Sequence, residues 1–374
     1  MIGLLLTARA LRAFADGFVA VLLPAYLLAL GHGQLEVGIL STATLFGSAL
    51  ATLAVGRWGN RFSIRRLLLA AALLMAATGV AFSAFSSLWP LLIVAFMGPL
   101  NPSSGDVSVF LPLEHTVLAA AAPAEARTST FARYSFIGSM FGAVGALAAA
   151  VPDRLAGHGV AMLDALRMMF LVYAAVGLAV WILYLRLPRT GKDESAPAVP
   201  LGPSRAIVLK LAGLFSIDSF AGGLVVNALL ALWLFERFGM SLTAAGAFFF
   251  WTGLFSAASQ LAAPLVAKRI GLINTMVFTH IPANLCLIAA ALAPSLEIAL
   301  GLLLARSALS QMDVPARSAY VMSVVTPPER PAAASFTAVP RSLASAISPS
   351  LTGAMFAAGM LSAPLVACGV LKIA

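Results

Sequence analysis

The chain has 374 residues, of which 61% are hydrophobic and only 10% charged, with a mean hydropathy of +0.99 and a formal net charge of +9. Soluble domains carry roughly 25% charged residues, so this composition excludes a soluble globular protein and predicts a polytopic membrane protein. The apolar runs are long, rich in Ala, Leu and Gly, and lack period-2 alternation, which excludes barrel strands and predicts an all-α bundle.

Membrane spans are predicted at about 3–30, 35–56, 66–86, 89–120, 129–151 and 164–187, then at about 206–235, 242–267, 272–293, 296–325, 332–358 and from 361 onward. The first carries Arg9, Arg12 and Asp16 inside the apolar run, which a cleaved signal would not, so it reads as a transmembrane helix. At steps of i, i+3 and i+7 these three share one face. Arg12 is expected to pair with Asp16 along the helix, and Arg9 to snorkel to the near interface as an anchor. The fourth and tenth runs exceed one crossing, and Pro99, Pro102, Pro112 and Pro315 are expected to kink them. Asp106 lies deep in the fourth, after Asn101-Pro102-Ser103-Ser104-Gly105, where capping of a helix break competes with a functional role. Gly138, Gly142 and Gly145 mark a close helix contact in the fifth span.

Pro188 to Ser204 is rich in Pro, Ser and Gly and reads as a cytoplasmic linker between two six-helix units, 1–187 and 205–374. Asp218 sits near the middle of the seventh span. In the tenth, Arg306, Ser310, Asp313, Arg317 and Tyr320 form one polar stripe on a helix face. A charge at such depth costs roughly 2.5–3.5 kcal/mol on insertion scales. The stripe must therefore face water or opposite charge, as a static ion-pair ladder or as the wall of a polar cavity. Thr337, Arg341, Ser345, Ser348 and Thr352 form another stripe in the eleventh span, read as packing glue and gate. From Leu361 the remaining run is too short for a full crossing, so a truncated or abbreviated twelfth helix is expected.

Basic residues concentrate in alternate connections: Arg57, Arg61, Arg65 and Arg66, then Arg127 and Arg133, then Arg186, Arg189, Lys192 and Arg205, then Lys268 and Arg269, then Arg330. By the positive-inside rule both termini are expected in the cytoplasm, in a bacterial-type inner membrane. The two units also echo each other. Phe14-Ala15-Asp16-Gly17-Phe18 matches Ser216-Ile217-Asp218-Ser219-Phe220, Asn60-Arg61-Phe62-Ser63 matches Lys268-Arg269-Ile270-Gly271, and Pro123-Ala124-Glu125-Ala126-Arg127 matches Pro327-Pro328-Glu329-Arg330. Three echoes in the same order argue for a duplicated six-helix unit.

Gly56-Arg57-Trp58-Gly59-Asn60-Arg61-Phe62-Ser63-Ile64-Arg65 resembles the Gly-x-x-x-Asp-Arg-x-Gly-x-Arg signature that the major facilitator superfamily carries after its second helix. Gly56, Arg61 and Arg65 match, whereas Asn60 and Ser63 replace the usual Asp and Gly. The resemblance covers essentially the whole chain. It implies two pseudo-symmetric six-helix bundles around a central cavity, lined mainly by helices one, four, seven and ten and opening alternately to either side. It also implies that the signature's electrostatic latch is weakened at Asn60.

Candidate substrate or proton-binding residues are Arg12, Asp16, Asp106, Asp218, Arg306 and Asp313, and candidate gate residues are Glu114, Arg317 and Arg341. Glu114 and Arg317 are expected to pair when the cytoplasmic side closes. Carboxylates at this depth respond to desolvation and to a moving Arg, which is the physical basis of proton coupling. The expected function is a monomeric secondary transporter of a small molecule, coupled to protons and leaning to export of an amphipathic compound. An uptake symporter for an organic anion or sugar, a non-transporting receptor of the same fold, and a channel are the alternatives. Buried Arg and acidic residues balance in number, so sign does not name the cargo. His115 and His280 stand singly, Cys286 and Cys368 read as small core hydrophobes, and no phosphate loop or metal-ligand cluster is present, so no cofactor, enzymatic activity or nucleic-acid partner is expected.

Overall fold

Backbone polar groups in hydrocarbon must be satisfied within the segment itself, and the apolar runs accordingly fold as helices. The computed structural model describes residues 1–58, 61–103, 108–123, 126–188, 202–326 and 329–373. Among these residues the α-helices are α1 (Ile2–Ala29), α2 (Gln34–Trp58), α3 (Ile64–Ala84), α4 (Leu88–Met97), α5 (Phe110–Ala121), α6 (Arg127–Leu147), α7 (Val151–Gly157) and α8 (Met162–Leu185). After the linker come α9 (Arg205–Gly223), α10 (Asn227–Phe238), α11 (Leu242–Ile270), α12 (Leu272–Ala291), α13 (Leu296–Leu309), α14 (Asp313–Val324), α15 (Arg330–Ala357) and α16 (Ala363–Ile373). Among the described residues eight helical stretches are long and apolar enough to cross a bilayer, while α4, α5 and α16 are apolar but shorter. Large apolar side chains point outward, among them Trp89, Ile93, Leu265 and Phe278, as lipid rather than water requires.

Helix breaks shape the middle of the bundle. The fourth predicted span divides into α4 and α5 around Pro99 and Pro102, whereas Pro112 lies inside α5 and causes no break. The tenth divides into α13 and α14 at Ser310 to Met312, so the polar stripe from Arg306 to Tyr320 is not one continuous helical face. Tyr320 packs instead on an apolar cluster of Val208, Leu211, Val321, Val325 and Ala333. The seventh span was expected to be continuous but divides into α9 and α10 after Gly222 and Gly223, two poor helix formers. At that break the Ala228 N–H donates to the Pro102 carbonyl oxygen at 3.0 Å, which joins the seventh span to the fourth.

Close packing relies on missing side chains. A Cβ on Gly17 would lie 2.1 Å from the Gly142 carbonyl oxygen, and one on Gly145 would lie 2.0 Å from that of Phe14, so α1 and α6 touch backbone to backbone. Helices before and after the linker meet along two seams, α2 on α15 and α6 on α11, and α10 adds contacts to α1. Several fastenings lie at the end of the bundle away from the termini. Gln34 Nε2 donates to Glu236 Oε2 at 2.9 Å, the Thr243 amide and hydroxyl donate to Asp153 Oδ2, and Gly38 packs on Gly353.

At the terminal end, Glu329 accepts from the Gly202 amide and from the Thr326 hydroxyl, which ties the end of the linker to the start of α15. Within the signature, Gly56 and Arg61 are exposed, and Arg65 donates from Nη2 to the Leu185 carbonyl oxygen at 2.7 Å, capping the end of α8. Asn60, Asp106 and most of the linker lie outside the described residues.

Candidate functional site

A cavity of about 500 Å³ lies between the helices before the linker and those after it. It runs from Ala20, Val21 and Leu230 at mid-bundle towards Arg9, Gln260 and Arg317, which sit nearer the terminal end of their helices. Breaking the helices near mid-depth frees backbone groups and lets polar side chains turn inward. Such breaks are tolerated only where the backbone is buried in protein or lines a wet cavity.

Two charge networks flank this space. In the first, Glu114 on α5 is fully buried and accepts from the Arg12 guanidinium, from the Tyr134 hydroxyl and, at 2.5 Å, from the Tyr184 hydroxyl. The Arg12 guanidinium also lies 4.1 Å from the centre of the Phe110 ring. Arg12 therefore takes Glu114 as its ion-pair partner rather than Asp16, because α5 brings a desolvated carboxylate to it while Asp16 is only half-buried. The same network occupies Glu114, which does not reach Arg317 in this structure. Neither Arg12 nor Glu114 borders the cavity among the described residues.

Arg9 is a further correction. It is buried rather than snorkelled, lies 5.1 Å from the centre of the Tyr134 ring, and borders the cavity. Gly138 makes room for it: a Cβ there would lie 2.4 Å from the guanidinium. The three glycines of the fifth span thus divide their work, Gly142 and Gly145 receiving helix α1 itself and Gly138 the Arg9 side chain.

The second network centres on Asp218 of α9. Lys372 Nζ donates to Oδ1 at 2.8 Å, His280 Nε2 lies 3.2 Å from the same oxygen, and Arg317 Nη1 donates to Oδ2 at 3.3 Å. Arg317 is also 3.5 Å from Asp313 Oδ2, one helical turn before it on α14. Arg341, expected as a gate residue, sits in the cavity wall, where its Nε donates to Ser219 Oγ at 3.2 Å. Arg306 borders the cavity from the last turn of α13.

Asp218, Asp313, Arg317, Arg341 and Arg306 are thus gathered on one side, with Asp16 apart from them. Sequence reasoning set His280 aside as single and passed over Lys372. Both were detectable in principle as isolated polar residues in apolar runs, but their convergence on Asp218 depends on how α12 and α16 pack. The charge count also changes meaning in three dimensions. The cations border the cavity, while Asp218 and Asp313 stand behind them.

An all-helical membrane bundle with broken helices around a central polar cavity defines the class of a membrane transporter. The family model for the Major Facilitator Superfamily matches residues 5–349, and the chain belongs to that superfamily. It is 23% identical over 380 residues to the uncharacterized membrane protein YJR124C of Saccharomyces cerevisiae, covering 92% of this chain and 85% of that one. The nucleoside transporter NupG superposes with a TM-score of 0.75 at 14% identity, over 100% of this chain and 96% of that one. The xylose transporter XylE of E. coli, in an inward open conformation, gives 0.77 at 16%, over 100% and 94%. A bacterial homolog of the human lysosomal transporter Spinster, inward-facing and occupied, gives 0.77 at 15%, over 100% and 94%. At these identities the structural likeness establishes the fold.

Proposed function

We propose that the chain is a secondary transporter in which two six-helix units, 1–187 and 205–374, rock about the cavity and expose it to each side in turn. On this reading α4 with α5, α6 with α7, α9 with α10 and α13 with α14 each form one interrupted crossing, giving twelve. The observation that carries it is the cavity itself, walled by both groups of helices and lying on the terminal side of seams that are fastened at the opposite end. The distribution of basic residues supports cytoplasmic termini, so the described state is open inward.

The cargo is a small polar molecule rather than the amphipathic compound expected from the sequence, because the wall is rich in charged and amide side chains. Asp218 is the group assigned to proton coupling. It is held by three cationic or titratable partners at once, so cargo that draws one of them away changes its hold on a proton. Asp16 and Asp313 take lesser parts, and the unit of function is a monomer.

Reconstitution into vesicles loaded with a pH-sensitive dye tests this. Substrate-dependent proton movement, abolished in Asp218→Asn, supports a coupled carrier. Tight binding with no flux identifies a receptor instead.

A further inference from the structure

The transporter reading leaves the cargo unnamed, and this inference rests on that reading. Arg9, Arg306, Arg317, Arg341 and Lys372 border the cavity, and among the described residues no Asp or Glu does. The two carboxylates behind them, Asp218 and Asp313, are engaged with Arg317 and Lys372. Among the described residues Arg341 has only a neutral hydroxyl, that of Ser219, as its hydrogen-bond partner. Arg306 has no ion pair or hydrogen bond among the described residues, and its Nε is sealed from solvent without an acceptor.

A guanidinium left in this state within a membrane span is unfavourable unless something supplies the missing charge. Among the described residues the rest of the wall offers no anionic group. Gln260, Gln311, Asn227 and Asn284 offer neutral amides, which hydrogen-bond hydroxyl or carbonyl groups but carry no charge to balance a guanidinium. The fork of an Arg matches a carboxylate or phosphate through two parallel hydrogen bonds, a geometry that Lys does not reproduce.

We propose that the cavity carries an organic anion, with Arg306 as the anchor for its acidic group and with Arg341 supplying further positive charge. The neutral amides take the uncharged part of the cargo. Loading then brings an external anion into competition with Asp218 for Arg317 and Lys372, which links occupancy of the site to the network assigned to coupling.

The test uses the full chain in lipid nanodiscs, with thermal shift and calorimetry against succinate and citrate as carboxylates, glucose 6-phosphate as a phosphate ester, glucose as a neutral control and spermidine as a cation. At least one anion is expected to raise the melting temperature, and the class that does so separates carboxylate from phosphate cargo. Arg306→Gln is expected to weaken that anion at least tenfold, and Arg306→Lys to restore part of the binding. Because Arg306 has no partner to lose among the described residues, the empty Arg306→Gln protein should melt no lower than wild type, which separates loss of a ligand site from loss of fold. Failure of all three anions, equal shifts from glucose or spermidine, or unchanged anion binding in Arg306→Gln would overturn the inference. Anion binding without flux in vesicles would instead overturn the transporter reading and leave the anion site standing.

Discussion

Lys372 Nζ lies 2.8 Å from Asp218 Oδ1, so the short helix α16 is bound by an ion pair to α9 in the wall of the cavity. Removing only the carboxylate leaves Lys372 and one contact of Arg317 without opposite charge. Asp218→Asn is therefore expected to destabilise the protein by about 1–3 kcal/mol, less than the roughly 3–5 kcal/mol for breaking a fully buried pair, because the Asp218 side chain is 24% exposed. Asp218→Asn combined with Lys372→Met should recover part of that loss. Melting curves of the two single variants and the double variant check this, and strictly additive losses would contradict the coupling.

Glu114 is a different case, because it is fully buried and does not border the cavity among the described residues. With Arg12, Tyr134 and Tyr184 all directed at one fully buried carboxylate, Glu114→Ala is expected to cost about 3–5 kcal/mol by stranding Arg12 in the interior. Tyr184→Phe, which removes one hydrogen bond and keeps the charge pair, should cost about 1 kcal/mol. Unfolding measurements that rank Tyr184→Phe at or above Glu114→Ala would show that the ion pair is not what holds α1 to α5.

The tie at Glu329 gives a pH dependence with a definite sign. Hydrogen bonds from Ser204, from Thr326 and from the Gly202 amide favour the ionised carboxylate and hold its pKa down from 4.5 to about 2. A carboxylate whose folded pKa lies below its unfolded value adds stability that is fully present above pH 4.5 and lost as pH falls through about 2. The melting-temperature gap between wild type and Glu329→Gln should stay constant from about pH 8 to 5 and narrow below that. A gap that changes between pH 8 and 6 would assign the effect to another group.

The helical class and the three close-packing glycines were legible because each depends on local chemistry: apolar run length and side-chain absence. Partner choice was not. Arg12 and Asp16 sit one turn apart on the same face, yet the shared burial of Glu114 on α5 outweighs that proximity. Asp218 was found from its depth, but Lys372 and His280 reach it from α16 and α12, helices more than sixty positions away. The break at Gly222 and Gly223 was passed over because the apolar run continues through it, although two adjacent glycines were the available signal. Counting charges along the chain hid the separation of cations at the cavity surface from carboxylates behind it.

Rocking of the two units is the central claim, and Gly38 provides a lever on it. A Cβ at Gly38 would lie 2.8 Å from the Gly353 Cα and 2.6 Å from the Pro349 carbonyl oxygen, so Gly38→Val should wedge α2 away from α15 at the end opposite the termini. Electron-spin distance measurements in nanodiscs, with labels at Leu35 and Met360 for that end and at Phe62 and Ile270 for the terminal end, report both sides of the motion. Relative to wild type, Gly38→Val is predicted to lengthen the Leu35 to Met360 distance and shorten the Phe62 to Ile270 distance. If the first distance grows while the second stays fixed or grows with it, the two units do not alternate about the cavity.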